Sequence, residues 1–226
     1  MRQIVLDTET TGRSKSENRI IEIGAIEMID RVQTGKHYHV YLNPQQAVEQ
    51  GALAVHGLTN AFLADKPLFS DVVEAFMAFI DGAELIIHNA PFDVGFIEAE
   101  LERVGHAVQQ LSDCCTVIDT LPLARKKHPG QRNSLDALCK RYEVDNSDRA
   151  LHGALLDSHL LALVYLRMTG GQNSLFVAPA GNEETNQVTM PQVLRRAGGK
   201  ALPMIAVSEA AESDHAAYIS RISDEV

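Results

Sequence analysis

Positive charge is scarce in this sequence: 20 lysines and arginines stand against 30 aspartates and glutamates, a formal balance of −10 over 226 residues. That deficit argues against a protein that holds nucleic acid by bulk electrostatics. It leaves room for an enzyme that meets nucleic acid through metal ions or is delivered to it by a partner. Cysteine is scarcer still. Cys114 and Cys115 are adjacent, Cys139 stands alone, and no pair has the C-x-x-C spacing of a zinc site, so all three are expected as reduced, mostly core residues. Long apolar runs are missing too, since none approaches the roughly 18 residues of a membrane span. The N-terminus runs into a strand pattern without a signal-peptide layout, so a cytoplasmic location is expected. With 45% hydrophobic residues the chain can still build one substantial domain plus an extension.

What is present starts at Ile4-Val5-Leu6, an apolar run of the kind found in strands buried on both faces. Asp7 and Glu9 follow two residues apart, so in a strand they share one face at a spacing of roughly 7 Å. Two carboxylates at the end of a buried strand repel each other and lose water, and the hard cations Mg²⁺ and Mn²⁺ relieve both costs. A lone Asp-x-Glu is more often a solvated strand end, so the rest of the chain has to decide. Ile20 to Ile26 reads as a second strand. His37 to Leu42 reads as a third, with Tyr38, Val40 and Leu42 on one face and His37, His39 and Tyr41 on a half-exposed one. Short turns between the three suggest an antiparallel meander.

From Ser70 the period changes to that of a helix through Val72, Val73, Phe76, Phe79 and Ile80, with Ser70 as N-cap and Gly82 as stop. Leu85-Ile86-Ile87 is another buried strand. Asn89-Ala90-Pro91-Phe92-Asp93 then begins a helix, with Asn89 as cap and Pro91 near the first position. Asp93 falls in the first turn, where the helix dipole alone would favour a carboxylate. A fifth strand is expected over 114–118, then a helix ending near His128-Pro129-Gly130, then a short helix capped by Asn133-Ser134. Arg125, Lys126, Lys127 and Arg132 form the densest basic patch, which reads as a solvated helix face in preference to a phosphate track. Leu151 to Asp157 opens a last helix, apolar almost all round. His152 and Asp157, five apart, would not share a helical face, but Gly153 lets His152 lie in the preceding loop and swing back.

Asp7-x-Glu9, Asp93 and His152-x-x-x-x-Asp157 together resemble the three motifs of the DEDDh family of 3′→5′ exonucleases. Asp7-Thr8-Glu9-Thr10-Thr11-Gly12, Val55-His56-Gly57-Leu58, Ile87-His88-Asn89 and the stretch from Arg132 to Cys139 look more specifically like the proofreading, epsilon-type members that serve bacterial DNA polymerase III. The resemblance covers about residues 2 to 170. It implies an α/β, ribonuclease-H-like fold, a mixed five-stranded sheet flanked by helices and followed by a flexible tail. It further implies hydrolysis of 3′-terminal, mispaired nucleotides to 5′-monophosphates with two divalent ions, Mg²⁺ or Mn²⁺, which in such sites sit roughly 3.5–4 Å apart. By the same resemblance Asp7 would bridge both ions, Glu9 and Asp157 would complete one site, and Asp93 would support the other through water. His152 would be the general base, and Thr10 and His56, beside Asp7 and Glu9, would touch the terminal nucleotide. The alternatives are a DEDDh exoribonuclease acting on RNA ends and a non-catalytic subunit bridging polymerase and clamp.

Residues 1–170 are thus expected as the exonuclease domain, 171–187 as a clamp-binding peptide and linker, and 188–226 as a polymerase-docking tail. Gln172-Asn173-Ser174-Leu175-Phe176 looks like the short peptide by which bacterial replication proteins bind the sliding clamp, through Gln172, Leu175 and Phe176. Ala211, His215, Tyr218 and Ile222 make one modest apolar stripe, suited to docking on the polymerase alpha subunit. A small third core subunit is a further partner that the resemblance allows.

Overall fold

A computed structural model describes residues 1–147 and 151–170 of the chain; the peptide, linker and tail expected from residue 171 onward lie outside the described residues. Strands β1 (Arg2–Thr10), β2 (Ile20–Ile29) and β3 (Val32–Tyr41) form the expected antiparallel meander. Each is longer than the apolar run that marked it, because main-chain pairing continues through polar residues once the apolar middle fixes the register. Helices α1 (Gln50–His56), α2 (Asn60–Leu63) and α3 (Phe69–Ile80) follow. Then come β4 (Glu84–Ile87), α4 (Ala90–Val104), β5 (Thr116–Asp119), α5 (Thr120–Lys127), α6 (Leu135–Arg141) and α7 (Ala154–Thr169). The sheet order is β3-β2-β1-β4-β5, with β4 parallel to β1 and β5 parallel to β4. This is the mixed five-stranded sheet flanked by helices that the motifs implied.

The pleat of β1 sorts its side chains between two cores. Ile4 and Leu6 pack with Phe76 of α3 and Phe96 and Ile97 of α4, whereas Val5 packs with Ile86, Leu161 and Tyr165 beneath α7. By alternation Asp7 and Glu9 continue the α7 face, and Thr8 continues the α3–α4 face. A third cluster joins α5, α6 and α7 through Ala124, Leu138, Cys139 and Val164. The three cysteines form no disulfide. Among the described residues, no helix is long and apolar enough to cross a membrane.

The helix starts differ from the expectation in detail. Ser70 lies inside α3, and Leu68 precedes the helix. Leu68 has no acceptor to offer, so the Asp71 carboxylate reaches back to its N–H at 2.9 Å instead. Asn89 stands at the N-cap of α4 in the left-handed region (φ 70°) with no side-chain cap bond, and Pro91 follows at the second helical position. Its N–H is held by the Asp119 carboxylate at 3.0 Å, and Asp119 also caps α5 through Leu121 N–H at 2.9 Å. Helix α7 begins at Ala154, not Leu151, which leaves His152 in the loop before it. Before α6 it is the Ser134 hydroxyl that caps, while Asn133 is spent on holding the preceding loop. The half-exposed face of β3 is also more engaged than expected, since the His39 ring contacts the buried Glu22 carboxylate at 2.8 Å.

Candidate active site

The C-terminal ends of parallel β1 and β4 open into a cleft of about 380 Å³ lined by Asp7, Glu9, Asp93, His152 and Asp157, with Phe92, Asn89 and Ser134 among its walls. All five charged candidates expected from the sequence therefore meet in one place, although 150 residues separate the first from the last. The β1 pleat delivers Asp7 and Glu9 toward α7, whose first turn carries the buried Asp157. Ligand atoms of Glu9, His152 and Asp157 lie within 4.8 Å of one another, and the His152 Nδ1 stands 3.2 Å from Asp157 Oδ2. Gly153 is the break that the sequence required: it ends the loop, and its carbonyl accepts the Asp157 N–H at 2.8 Å.

Asp93 arrives from the opposite face of the sheet. Its Oδ1 accepts both the Thr8 N–H (3.0 Å) and the Thr8 hydroxyl (2.7 Å). Burial nevertheless pushes its carboxyl up to about 7; the Thr8 hydrogen bonds pull the other way, and the Asp119 carboxylate adds a smaller upward push. Sequence reasoning missed Thr8, because its partner lies 85 residues away and its alternation points it off the carboxylate face. A carboxyl so far above its ordinary range gains most from a nearby cation. The set of hard carboxylate oxygens plus one imidazole fits Mg²⁺ or Mn²⁺.

Two features hold α7 at the carboxylates. Gly24 is the register partner of Asp7 on β2 and faces the same side. A Cβ there would stand 2.2 Å from the main chain of Ala154 and Leu155, so only glycine lets the start of α7 lie against β2 at this level. The Ser158 hydroxyl donates to the Gly24 carbonyl at 2.8 Å. The His152 loop is tied down separately, its N–H donating to the Val55 carbonyl at the end of α1 (3.1 Å), while Leu151 lies against Gly57. Gly24 carries no signal in the sequence beyond interrupting a strand of isoleucines.

The two expected nucleotide contacts differ in readiness. The Thr10 hydroxyl already donates to the Gly12 carbonyl at 2.6 Å. His56 is buried, and its Nδ1 accepts the Leu58 N–H at 3.0 Å, which leaves the proton on Nε2. Among the described residues that Nε2 has no hydrogen-bond partner. Burial lowers the His56 pKa, with the Thr10 main chain acting in the opposite sense, so the ring is a neutral donor.

Residues 4–165 match the exonuclease family of the ribonuclease T type. The chain is 49% identical to the DNA polymerase III epsilon subunit of Salmonella typhimurium over 228 aligned positions, covering 98% of this chain and 92% of that one. It is 50% identical to the epsilon subunit of Escherichia coli K12, over 87% of this chain and 84% of that one. Among solved structures, exonuclease X in complex with 5′-overhanging duplex DNA superposes with a TM-score of 0.60 at 26% identity, covering 75% of this chain and 92% of that one. Exonuclease I shares the fold with a TM-score of 0.65 at 16% identity, over 76% of this chain and 42% of that one. The chain belongs to the exonuclease family and, within it, to the epsilon subunits of DNA polymerase III.

Proposed function

We propose that this chain is the 3′→5′ proofreading exonuclease of a bacterial replicative polymerase, hydrolysing the 3′-terminal phosphodiester of DNA to release nucleoside 5′-monophosphates. The observation that carries the reading is the convergence of Asp7, Glu9, Asp93, His152 and Asp157 on one cleft. Asp7, Glu9, Asp93 and Asp157 are the residues that would hold two divalent ions. Mg²⁺ or Mn²⁺ bound there supplies Lewis acidity at the scissile phosphate. His152 takes a proton from the attacking water; its Nδ1 faces Asp157, which orients the ring and leaves Nε2 for the proton. His56 would offer its Nε2–H to the terminal nucleotide, and Thr10, whose main chain lies beside His56, would contact the same nucleotide. The apolar wall at Phe92 helps to exclude bulk water.

Outside the described residues, Gln172, Leu175 and Phe176 would bind the sliding clamp, residues 171–187 would serve as linker, and 188–226 would dock on the polymerase alpha subunit. A small third core subunit would complete the assembly. Tethering raises the effective concentration of the primer end, which accounts for a nuclease with so little positive charge.

The test uses 5′-labelled DNA and RNA oligonucleotides of matched sequence, with Mg²⁺ or EDTA. A metal-dependent 3′→5′ ladder, faster from a mispaired DNA end and nearly abolished by Asp7→Asn, is the expected result. A strong preference for RNA would replace the reading with an RNA-processing one, and full activity of Asp7→Asn would remove the metal site. Deleting 178–226 is expected to spare the nuclease and lose the polymerase, judged by co-purification.

A further inference from the structure

A second cleft, of about 470 Å³, adjoins the catalytic one and shares His88, Asn89 and Ser134 with it. Its far end is built by Arg125 of α5 and by Gln131 and Asn133 of the loop before α6. That loop is stiffly held: the Asn133 amide donates to the Gln131 carbonyl at 3.0 Å, and its oxygen accepts from Arg141 at 3.2 Å. The basic patch seen in the sequence divides here. Lys127 donates to the Met168 carbonyl, which ties it to α7, and Lys126 and Arg132 do not line the cleft. Arg125 does, exposed, and among the described residues no carboxylate pairs with it, whereas Arg2, Arg19 and Arg103 are each joined to a buried glutamate. Its charge is felt along the cleft wall, where it disfavours protonation of His88; burial is the larger cause of that lowered pKa.

Position gives this cleft its direction. His56, at the end of α1, lies within reach of Glu22 on β2 and of the Thr10 main chain at the end of β1, so it stands on the β2 side of the site. His88, Asn89 and Arg125 lie on the β4 and β5 side, because the sheet order places β1 between them. A strand whose scissile phosphate sits at the carboxylates, with its terminal nucleotide against His56, must leave on the other side. We propose that the second cleft is a track for the backbone of single-stranded DNA 5′ to the terminal nucleotide, with Arg125 as its phosphate contact. The proposal rests on the nuclease reading above.

The experiment compares Arg125→Gln with the unmodified full chain on two substrates. One is a single-stranded oligonucleotide of roughly ten nucleotides, longer than the track. The other is the p-nitrophenyl ester of thymidine 5′-monophosphate, which has one phosphodiester and no upstream strand. The ratio of kcat/KM on the oligonucleotide to that on the ester is expected to fall about five- to tenfold, the worth of one charge-assisted contact at an exposed site. The salt dependence on the oligonucleotide should become shallower by about 0.7 in log–log slope, and Arg125→Lys should restore most of the ratio. An unchanged ratio with an unchanged slope overturns the track, and so does an equal loss on both substrates, which would assign Arg125 to the fold. Inactivity of the unmodified chain on both substrates would instead overturn the nuclease reading, and the track with it.

Discussion

Gly24→Ala puts the smallest possible perturbation at the point where α7 meets the sheet. The new methyl would stand 2.2 Å from the Ala154 carbonyl carbon and the Leu155 nitrogen, where ordinary contact begins near 3.4 Å. Both neighbours are main chain, so no rotamer change relieves the clash, and the start of α7 must withdraw by about 1 Å or β2 must buckle. Overpacking of this kind costs about 1–3 kcal/mol of stability, which lowers the Tm of a domain this size by several degrees. The catalytic cost is larger. Asp157 sits in the first turn of that helix and His152 just before it, while Asp7 and Glu9 stay with β1. A misplacement of about 1 Å between reacting groups costs on the order of 10²-fold in rate. Turnover of a 5′-labelled oligonucleotide at saturating substrate is therefore expected to drop about 100-fold. Circular dichroism should show a folded protein at the assay temperature. Ser158→Ala removes the hydrogen bond to the Gly24 carbonyl without adding bulk, and is expected to cost only about 1 kcal/mol. A folded Gly24→Ala protein turning over within threefold of wild type would refute the reasoning.

Three further predictions follow from the site and its supports. Asp93 titrates in the folded, metal-free chain at about 7, above the ordinary 3.8 of an unfolded aspartate, so between those values the native state holds the extra proton. This group therefore makes stability fall as pH rises from about 4 to about 7, and Asp93→Asn removes that loss. In EDTA, the urea midpoint of Asp93→Asn relative to wild type should be higher at about pH 8 than at about pH 5, and an equal offset at both would refute it. His152→Asn should lower kcat by about 10²–10⁴ with little change in thermal unfolding, and a loss confined to KM would remove its role as base. Arg19 grips the fully buried Glu100 with two bonds of 2.6 and 2.7 Å and holds the β1–β2 loop against α4. Glu100→Gln should destabilise the domain by about 3 kcal/mol in chemical denaturation, and a change under 1 kcal/mol would show the pair to be dispensable.

How much of this was legible in the sequence depended on distance along the chain. The meander and the strand Leu85–Ile87 could be read because apolar runs and alternation are local signals. The five charged residues could be read because each stands in a short motif beside a strand end or helix start. Gly153 could be read as the break that frees His152, because the 140° offset of positions five apart demanded one. The supports could not. Thr8 matters only because Asp93 packs beside it, and Asp119 only because it holds Asn89 N–H and caps α5 together. The start of α3 was misplaced by hydroxyl preference: Ser70 looks like a cap, but Asp71 caps from inside the helix. The basic patch is exposed as a solvated face should be, but composition could not tell that Arg125 alone of the four lines the second cleft.

The arrangement separates what must stay fixed from what must exchange. All four carboxylates stand on regular elements, Asp7 and Glu9 on β1, Asp93 on α4 and Asp157 on α7. They approach the end of β1 from both of its faces, so the sheet itself sets their separation and keeps them from relaxing apart. Held that way, the buried Asp93 carboxyl keeps the cost of its lost hydration, which raises its pKa, and a bound cation would offset that cost. His152 is placed by the opposite logic. It belongs to no helix or strand, its side chain is 43% exposed, and its N–H donates to the Val55 carbonyl while its ring faces Asp157. A base must pass its proton to solvent in every turnover, which a buried, rigid imidazole could not do. The break at Gly153 thus marks the boundary between the rigid ligand set and the one group that has to reach water.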